Sequence, residues 1–328
     1  MVRRVVVHSY MSAPTSLVGN RWQHSPMLRQ ESNGMTKEKT RFEIVLRKIV
    51  AAIDFSPASR GVLAHAASIA RRYKSKLFIT HVVPADIYKT VPPEVMSKAV
   101  NETSAEIQAQ MGNMLHLECV EHINHEALIQ EGPVAPTLLR LAAGCKADLL
   151  VIGTRGHHGL DRLLQGSIAE EVFRMAPCPV LIVPPSATED TNIVVHNILY
   201  PTSFSGISLR AAPYAFSLAR RHRAQLILVH VLPETAINSK DDIARIRAPL
   251  EKRLRGLIPD KGGPSREPLA CVEFGGVAER VVRASLEYQV DLIVLGIATA
   301  GAAVAHLDEG VTYRIVRTAS CPVLTVRN

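Results

Sequence analysis

Three glycines and a serine stand at a spacing suited to a phosphate group: Gly153-Thr154-Arg155-Gly156, nine residues, then Gly166-Ser167. Glycine has no Cβ to hold an anion away from the backbone. Successive amides in such a loop form a concave nest for phosphate oxygens. The Ser167 hydroxyl adds a donor, and a helix starting near Ile168 turns its positive end toward the same point. Glycines of this kind also serve plain turns, so context has to decide. Here an apolar run ends at Gly153, and a helical pattern (Ile168, Val172, Met175) begins just after Ser167. In an open α/β sheet, ligands bind outside the carboxyl ends of the strands, where such a loop lies. Neither G-x-x-x-x-G-K-[ST] nor G-x-G-x-x-G occurs anywhere.

Other candidates carry less. Arg155, Arg162 and the pair His157-His158 fall inside the loop, within reach of a phosphate, but an exposed surface loop accounts for the histidines better, and a surface salt bridge accounts for Arg162 equally well. His81 and His230 end matching strands and could approach a nucleotide, but satisfied interior histidines are the more frequent case. There is no H-E-x-x-H and no Cys/His cluster to bind a metal, and no G-x-S-x-G to raise a nucleophile.

The elements that must position the loop occur twice. Lys48–Ser56 resembles Asn197–Ser205, and Thr80–Pro84 resembles Val229–Pro233. Asp148–Gly153 resembles Asp291–Gly296, and Cys178-Pro179-Val180-Leu181 recurs as Cys321-Pro322-Val323-Leu324. The offset falls from 149 to 143 residues between the early and late blocks, so six residues are missing from a loop or helix of the second copy. In the first copy, strands are predicted near 48–54, 76–83, 126–131, 148–153 and 179–183. They are almost continuously Val, Ile and Leu, as strands covered on both faces should be. Val62, Ala66, Ile69 and Tyr73 keep helical spacing between them, as do Leu138, Leu139 and Leu141 further on. Alternating strands and helices imply parallel sheets with right-handed crossovers. In the second copy, Pro213 falls within the helix predicted at 206–222 and should kink it or sit where the lost hydrogen bond is tolerated.

Taken with Asp54 at the end of the first strand and C-P-V before the last, the pattern G-x2-G-x9-G-S resembles the ATP-binding branch of the universal stress protein family. The resemblance covers both copies and implies two tandem Rossmann-like or flavodoxin-like domains of the adenine nucleotide alpha hydrolase type. Each would be a five-stranded parallel sheet with helices on both faces. It implies that ATP is the ligand, that Asp54 holds its adenosine part, and that Val82 contacts adenine through its backbone. Gly153, Gly156, Gly166 and Ser167 would hold the phosphates, with Thr154 and Ile168 beside them and any Mg²⁺ or Mn²⁺ held mainly by the phosphates. It further implies that strands 180–183 and 323–326 pair within the chain, leaving room for a homodimer and for an unidentified protein partner. The role implied is a nucleotide-dependent stress sensor or adaptor. Two rival readings use the same residues: a slow ATP hydrolase or phosphotransferase, and an interaction module that needs no nucleotide. No general base stands beside the loop, so any turnover is expected to be slow.

The second copy departs from the pattern. Ser203 replaces Asp54, Thr299 replaces the second glycine, and Val311 replaces Ser167. Gly310 follows Gly296 by 14 residues instead of 13, and Asp308 and Glu309 bring negative charge to the loop. Nucleotide is therefore expected in the first copy only. Gly132 and Gly275 match before the third helix, so the fold is expected to persist where the site does not.

Domain bounds follow: a basic leader at 1–44, read as disordered, a first domain at 45–185, a polar linker at 186–195 and a second domain at 196–328. Met35 is a candidate start of the native protein. The first 48 residues hold nine Lys/Arg against three acids, so most of the net charge of +8 sits there and the body is nearly neutral. This argues against nucleic acid as a partner of the body. No apolar run is long enough to span a membrane. Five scattered cysteines without a C-x-x-C pair suit a reducing cytoplasm.

Overall fold

In the computed structural model of the chain, the described residues are 6–7, 43–84, 87, 91–154, 168–187, 193–236, 240–260, 262–298 and 310–327. After a two-residue strand β1 (Val6–Val7), the first repeat runs β2 (Lys48–Ala52), α1 (Ala58–Tyr73), β3 (Lys76–Val83), α2 (Met96–Leu115), β4 (His125–Glu131), α3 (Val134–Cys145), β5 (Leu149–Gly153), α4 (Ile168–Met175) and β6 (Val180–Val183). The second runs β7 (Asn197–Pro201), α5 (Gly206–Leu209), α6 (Ala212–His222), β8 (Gln225–Leu232), α7 (Lys240–Arg255), β9 (Leu269–Phe274), α8 (Val277–Glu287), β10 (Leu292–Gly296), α9 (Val311–Thr318) and β11 (Val323–Val326).

All strands join one 11-stranded sheet in the order β1-β4-β3-β2-β5-β6-β11-β10-β7-β8-β9. Pairing is parallel throughout each repeat and antiparallel at one seam, where Val323, Leu324 and Thr325 of β11 lie opposite Ile182, Leu181 and Val180 of β6. The two predicted sheets are thus halves of one, joined by the strands whose pairing the resemblance implies. Two apolar layers cover it. On one face α1, α2, α6 and α7 pack over Ile49, Leu77, Ile198 and Leu226, and on the other α3, α4, α8 and α9 pack over Val50, Leu150, Leu199 and Ile293. Both layers run across the seam, and Ile193 and Val195, just before β7, are buried in the first.

The repeated aspartates have a structural task. Asp148 Oδ2 accepts from the amides of Arg47 and Lys48 at 2.7 and 2.9 Å, and Asp291 Oδ2 accepts from His196 and Asn197 at the same distances. Each ties the entry of the first strand of its repeat to that of the fourth.

Two expectations need correction. The leader is not wholly without structure: Val6 and Val7 pair in parallel with Leu128 and Ile129 on the edge strand β4. β-branched residues suit that place, and the edge of β4 offers unpaired backbone groups. The helix predicted at 206–222 is two helices. Pro213 sits in the first turn of α6, where its missing N–H has no intrahelical partner to lose, which is the tolerated place that the sequence reading allowed, and the single helix is broken just before it. The polar helix α2, with only Ile107 and Met111 buried, was not assigned from the sequence.

Candidate functional site

In each repeat the strands lie in the spatial order third, second, first, fourth, fifth. The order reverses between the first and fourth strands, and the crevice at their carboxyl ends is where such folds take ligands. In the first repeat that crevice lies between β2 and β5, with Asp54 on one wall and Gly153-Thr154 on the other.

Asp54 is half-buried and shapes its own turn. Its Oδ1 accepts from the Ser56 amide at 3.0 Å, the Ser56 hydroxyl at 2.5 Å and the Ser59 hydroxyl at 2.7 Å. The Ser59 hydroxyl in turn accepts from the Asp54 amide at 3.0 Å. These bonds hold Phe55 in the left-handed region at φ 61°, an uncommon conformation for an aromatic residue. His81 reinforces the turn: its Nδ1 bonds the Ile53 carbonyl at 2.9 Å and its ring stacks on Phe55 at 4.2 Å between centroids. Since a carbonyl only accepts, Nδ1 carries the proton. His81 is therefore satisfied by backbone, as its sequence reading holds.

Val82 buries its side chain in the core. In a parallel strand the amide and carbonyl of one residue point to the same side, and the side alternates along the strand. The Thr80 carbonyl accepts from Ile53 on the β2 side, and the Val83 carbonyl accepts from Gly132 on the β4 side. The amide and carbonyl of Val82 therefore point toward β2, one step beyond the last β2 register pair, Ala52 with Thr80. They line the crevice.

On the opposite wall, the Thr154 amide donates to the Val183 carbonyl at 3.1 Å. The Thr154 hydroxyl is buried and has no hydrogen-bond partner among the described residues. A buried hydroxyl left unpaired is costly, so a ligand oxygen there would repair a deficit. Ile168 opens α4 and is half exposed. Gly156, Gly166 and Ser167, with Arg155, His157, His158 and Arg162, lie outside the described residues.

The second repeat preserves the scaffold and changes the lining. Phe204 repeats the left-handed turn at φ 60°, and His230 Nδ1 bonds the Thr202 carbonyl at 2.7 Å. Where Asp54 stands, the exposed Ser203 hydroxyl meets, among the described residues, the hydroxyls of Ser205 and Ser208, at 2.9 and 3.3 Å. Gly132 and Gly275 both have φ 137°, which explains why both are glycine. What faces them differs. Thr137 lies against Gly132, whereas Arg280 lies so close to Gly275 that a Cβ there would meet its Nε at 2.6 Å. The Arg280 guanidinium reaches Glu234 and Glu273, each at 3.9 Å, and so spans the carboxyl ends of β8 and β9. Sequence reading did not single out Arg280, although it matches Thr137 at the 143-residue offset, because its contacts with Glu234 and Glu273 form only in the fold.

Gly296 is retained for packing. A Cβ on it would lie 2.2 Å from the Ile207 carbonyl oxygen and 2.8 Å from Ser208 Cα. Gly310, by contrast, has φ −54° and nothing within 4 Å of a Cβ, so no steric need keeps it a glycine. Among the described residues, no group of three His, Cys, Asp or Glu side chains could hold a metal. No described helix is long and apolar enough to cross a membrane.

Comparison with known proteins agrees with this duplicated architecture. The model of the universal stress protein family matches residues 46–184 and again 195–327. A universal stress protein of Methanocaldococcus jannaschii is 34% identical over 145 residues, 43% of this chain and 84% of that protein. Universal stress protein A homolog 1 of Coxiella burnetii is 33% identical over 142 residues, 42% of this chain and 95% of its own length. Each match is about one repeat long. The crystal structure of a universal stress protein from Archaeoglobus fulgidus has the same fold across both repeats, with a TM-score of 0.61 at 18% identity, covering 85% of this chain and 98% of that one. With two matches that together span most of its length, the chain belongs to the universal stress protein family.

Proposed function

We propose that this universal stress protein binds ATP in its first repeat and acts as a nucleotide-dependent sensor or adaptor, with the second repeat completing the fold. The observation that carries the reading is the crevice between β2 and β5. It combines an oriented carboxylate at Asp54, inward backbone groups at Val82 and a buried hydroxyl at Thr154 that has no partner among the described residues. A carboxylate accepts from ribose hydroxyls, a backbone amide and carbonyl match the donor and acceptor edge of adenine, and a hydroxyl donates to phosphate. Gly153, Gly156, Gly166 and Ser167 would complete the phosphate loop, flanked by Ile168. Mg²⁺ or Mn²⁺ would be held mainly by the phosphates. In the second repeat Ser203 offers no charge where Asp54 stands in the first, which supports a single site.

Calorimetric titration of ATP into nucleotide-free protein tests this. One site per chain is expected, lost in Gly166→Val, where a side chain bars the backbone from the phosphate. Two sites would overturn the assignment of the second repeat, and none would favour a nucleotide-independent interaction module. Turnover above about 1 per second would instead favour a hydrolase.

A further inference from the structure

Arg327, one residue past the last strand of the second repeat, reaches across the seam into the first. Its Nη1 donates to the Arg174 carbonyl and its Nη2 to the Phe173 carbonyl, while the guanidinium lies 5.7 Å from the centre of the Phe173 ring. These carbonyls belong to the last turn of α4, where carbonyls have no intrahelical donor. A cation there also meets the negative end of the helix dipole. The residue is held in place: its Nε is buried, and its strand is fixed by the pairing of Thr325 with Val180. Glu170 bonds Arg174 at 3.1 Å and offsets the charge of the second arginine nearby.

The arrangement runs one way. The residue matching Arg327 in the first repeat is Pro184, which has neither side-chain nor backbone donor. The nearest reciprocal contact is a single bond of 3.0 Å from the Ser186 hydroxyl to the Ser320 carbonyl, past the end of α9. The charged, forked contact thus goes only to the helix that follows the intact glycine loop. Helix α4 is just eight residues long, so a constraint at its C-terminus acts about 12 Å from its N-terminus and on a single rigid rod.

We infer that Arg327 is a positioning residue for the nucleotide site of the first repeat: from the second repeat it clamps the C-terminus of α4 and so fixes the N-terminal turn of that helix at Ile168, on the side of the crevice where Thr154 lies. The inference rests on the nucleotide reading for its consequence, but the clamp itself can be measured without nucleotide. The test uses the full chain with Arg327→Met, which keeps an apolar stem over Phe173 and removes the donors, and Arg327→Lys, which keeps one charge without the fork. Amide hydrogen exchange across 168–175 is read in nucleotide-free protein, with β8 and β9 as the folding control, and ATP affinity is read by calorimetry. Arg327→Met is expected to speed exchange in α4, leave β8 and β9 unchanged and weaken ATP by about threefold to tenfold, with Arg327→Lys between it and the natural protein. Unchanged exchange in α4 would overturn the clamp. Faster exchange with unchanged ATP affinity would overturn the positioning role. Faster exchange in a protein whose unmutated form binds no ATP would keep the clamp and sink the nucleotide reading instead.

Discussion

Asp54 combines two tasks that substitution can separate. As an acceptor it holds the turn through Oδ1, and as a charge it faces the crevice. Asp54→Asn keeps an Oδ1 acceptor and should leave stability within about 0.5 kcal/mol while weakening ATP at least tenfold; Asp54→Ala should weaken ATP equally and cost a further ~1–2 kcal/mol in urea unfolding. Equal ATP affinity in all three proteins would make Asp54 a turn residue only. At the matching end of the other half, Gly296→Ala must push against the Ile207 carbonyl, and about 3 kcal/mol of lost stability is expected although no ligand is involved. His222 supplies a pH prediction. Burial, reinforced by Arg72, holds its pKa down to about 3, and its Nδ1 is buried without a partner among the described residues. The unfolded chain takes up this proton near pH 6.5 and the folded one does not. The contribution of the neutral ring is therefore complete above pH 6.5 and is lost as pH falls toward 3. Urea unfolding should show about 1–2 kcal/mol less loss between pH 6.5 and 5 in His222→Phe than in the natural protein.

Elements begin and end where single side chains let them. Ser205 caps α5 by accepting from the Ser208 amide at 3.3 Å, and Ser205→Ala should cost about 1 kcal/mol, measurable by thermal or urea unfolding. The buried strands were legible because Lys48–Ala52 and Leu149–Gly153 are covered on both faces and so are almost wholly apolar after Lys48. Helix α1 was legible because eleven of its residues are buried. Helix α2 was not, since its two buried side chains leave too little periodic signal, nor was the break before α6, since a proline alone does not say whether a helix bends or restarts. Of the site, Asp54 and Gly153 could be found from their place at strand ends. Arg280 and Arg327 could not, because each acts on a residue far away in the chain or held in place by another element. The spacing of glycines reported a loop, but it could not separate Gly296, retained for packing, from a glycine retained for phosphate.

At the scale of the whole molecule, the two repeats meet along the β6–β11 seam and again where α1 lies against α6. There the Tyr73 hydroxyl bonds Ser217 at 3.0 Å, Arg72 donates to the Arg221 carbonyl at 3.0 Å, and Glu43 bonds Arg220 and Arg221 at 3.2 and 2.9 Å. Leu181 and Leu324 face each other in the seam, both almost fully buried. Replacing both by Glu sets like charges opposite one another in the interior, and X-ray scattering should then show a longer particle, with self-association through the two freed strand edges. A compact monomer in that double variant would mean that the helices alone hold the halves together. The seam also bears on how the halves could come to differ. Were they separate identical chains, every substitution would appear on both sides of the axis at once, so Ser203 could not arise without the loss of Asp54, nor Arg327 without its twin. With both sides written in one chain, each can change alone, and dilution cannot part them. Inheritance then acts on the left and the right hand of the molecule separately, which is how one half can keep a pocket while the other becomes its support.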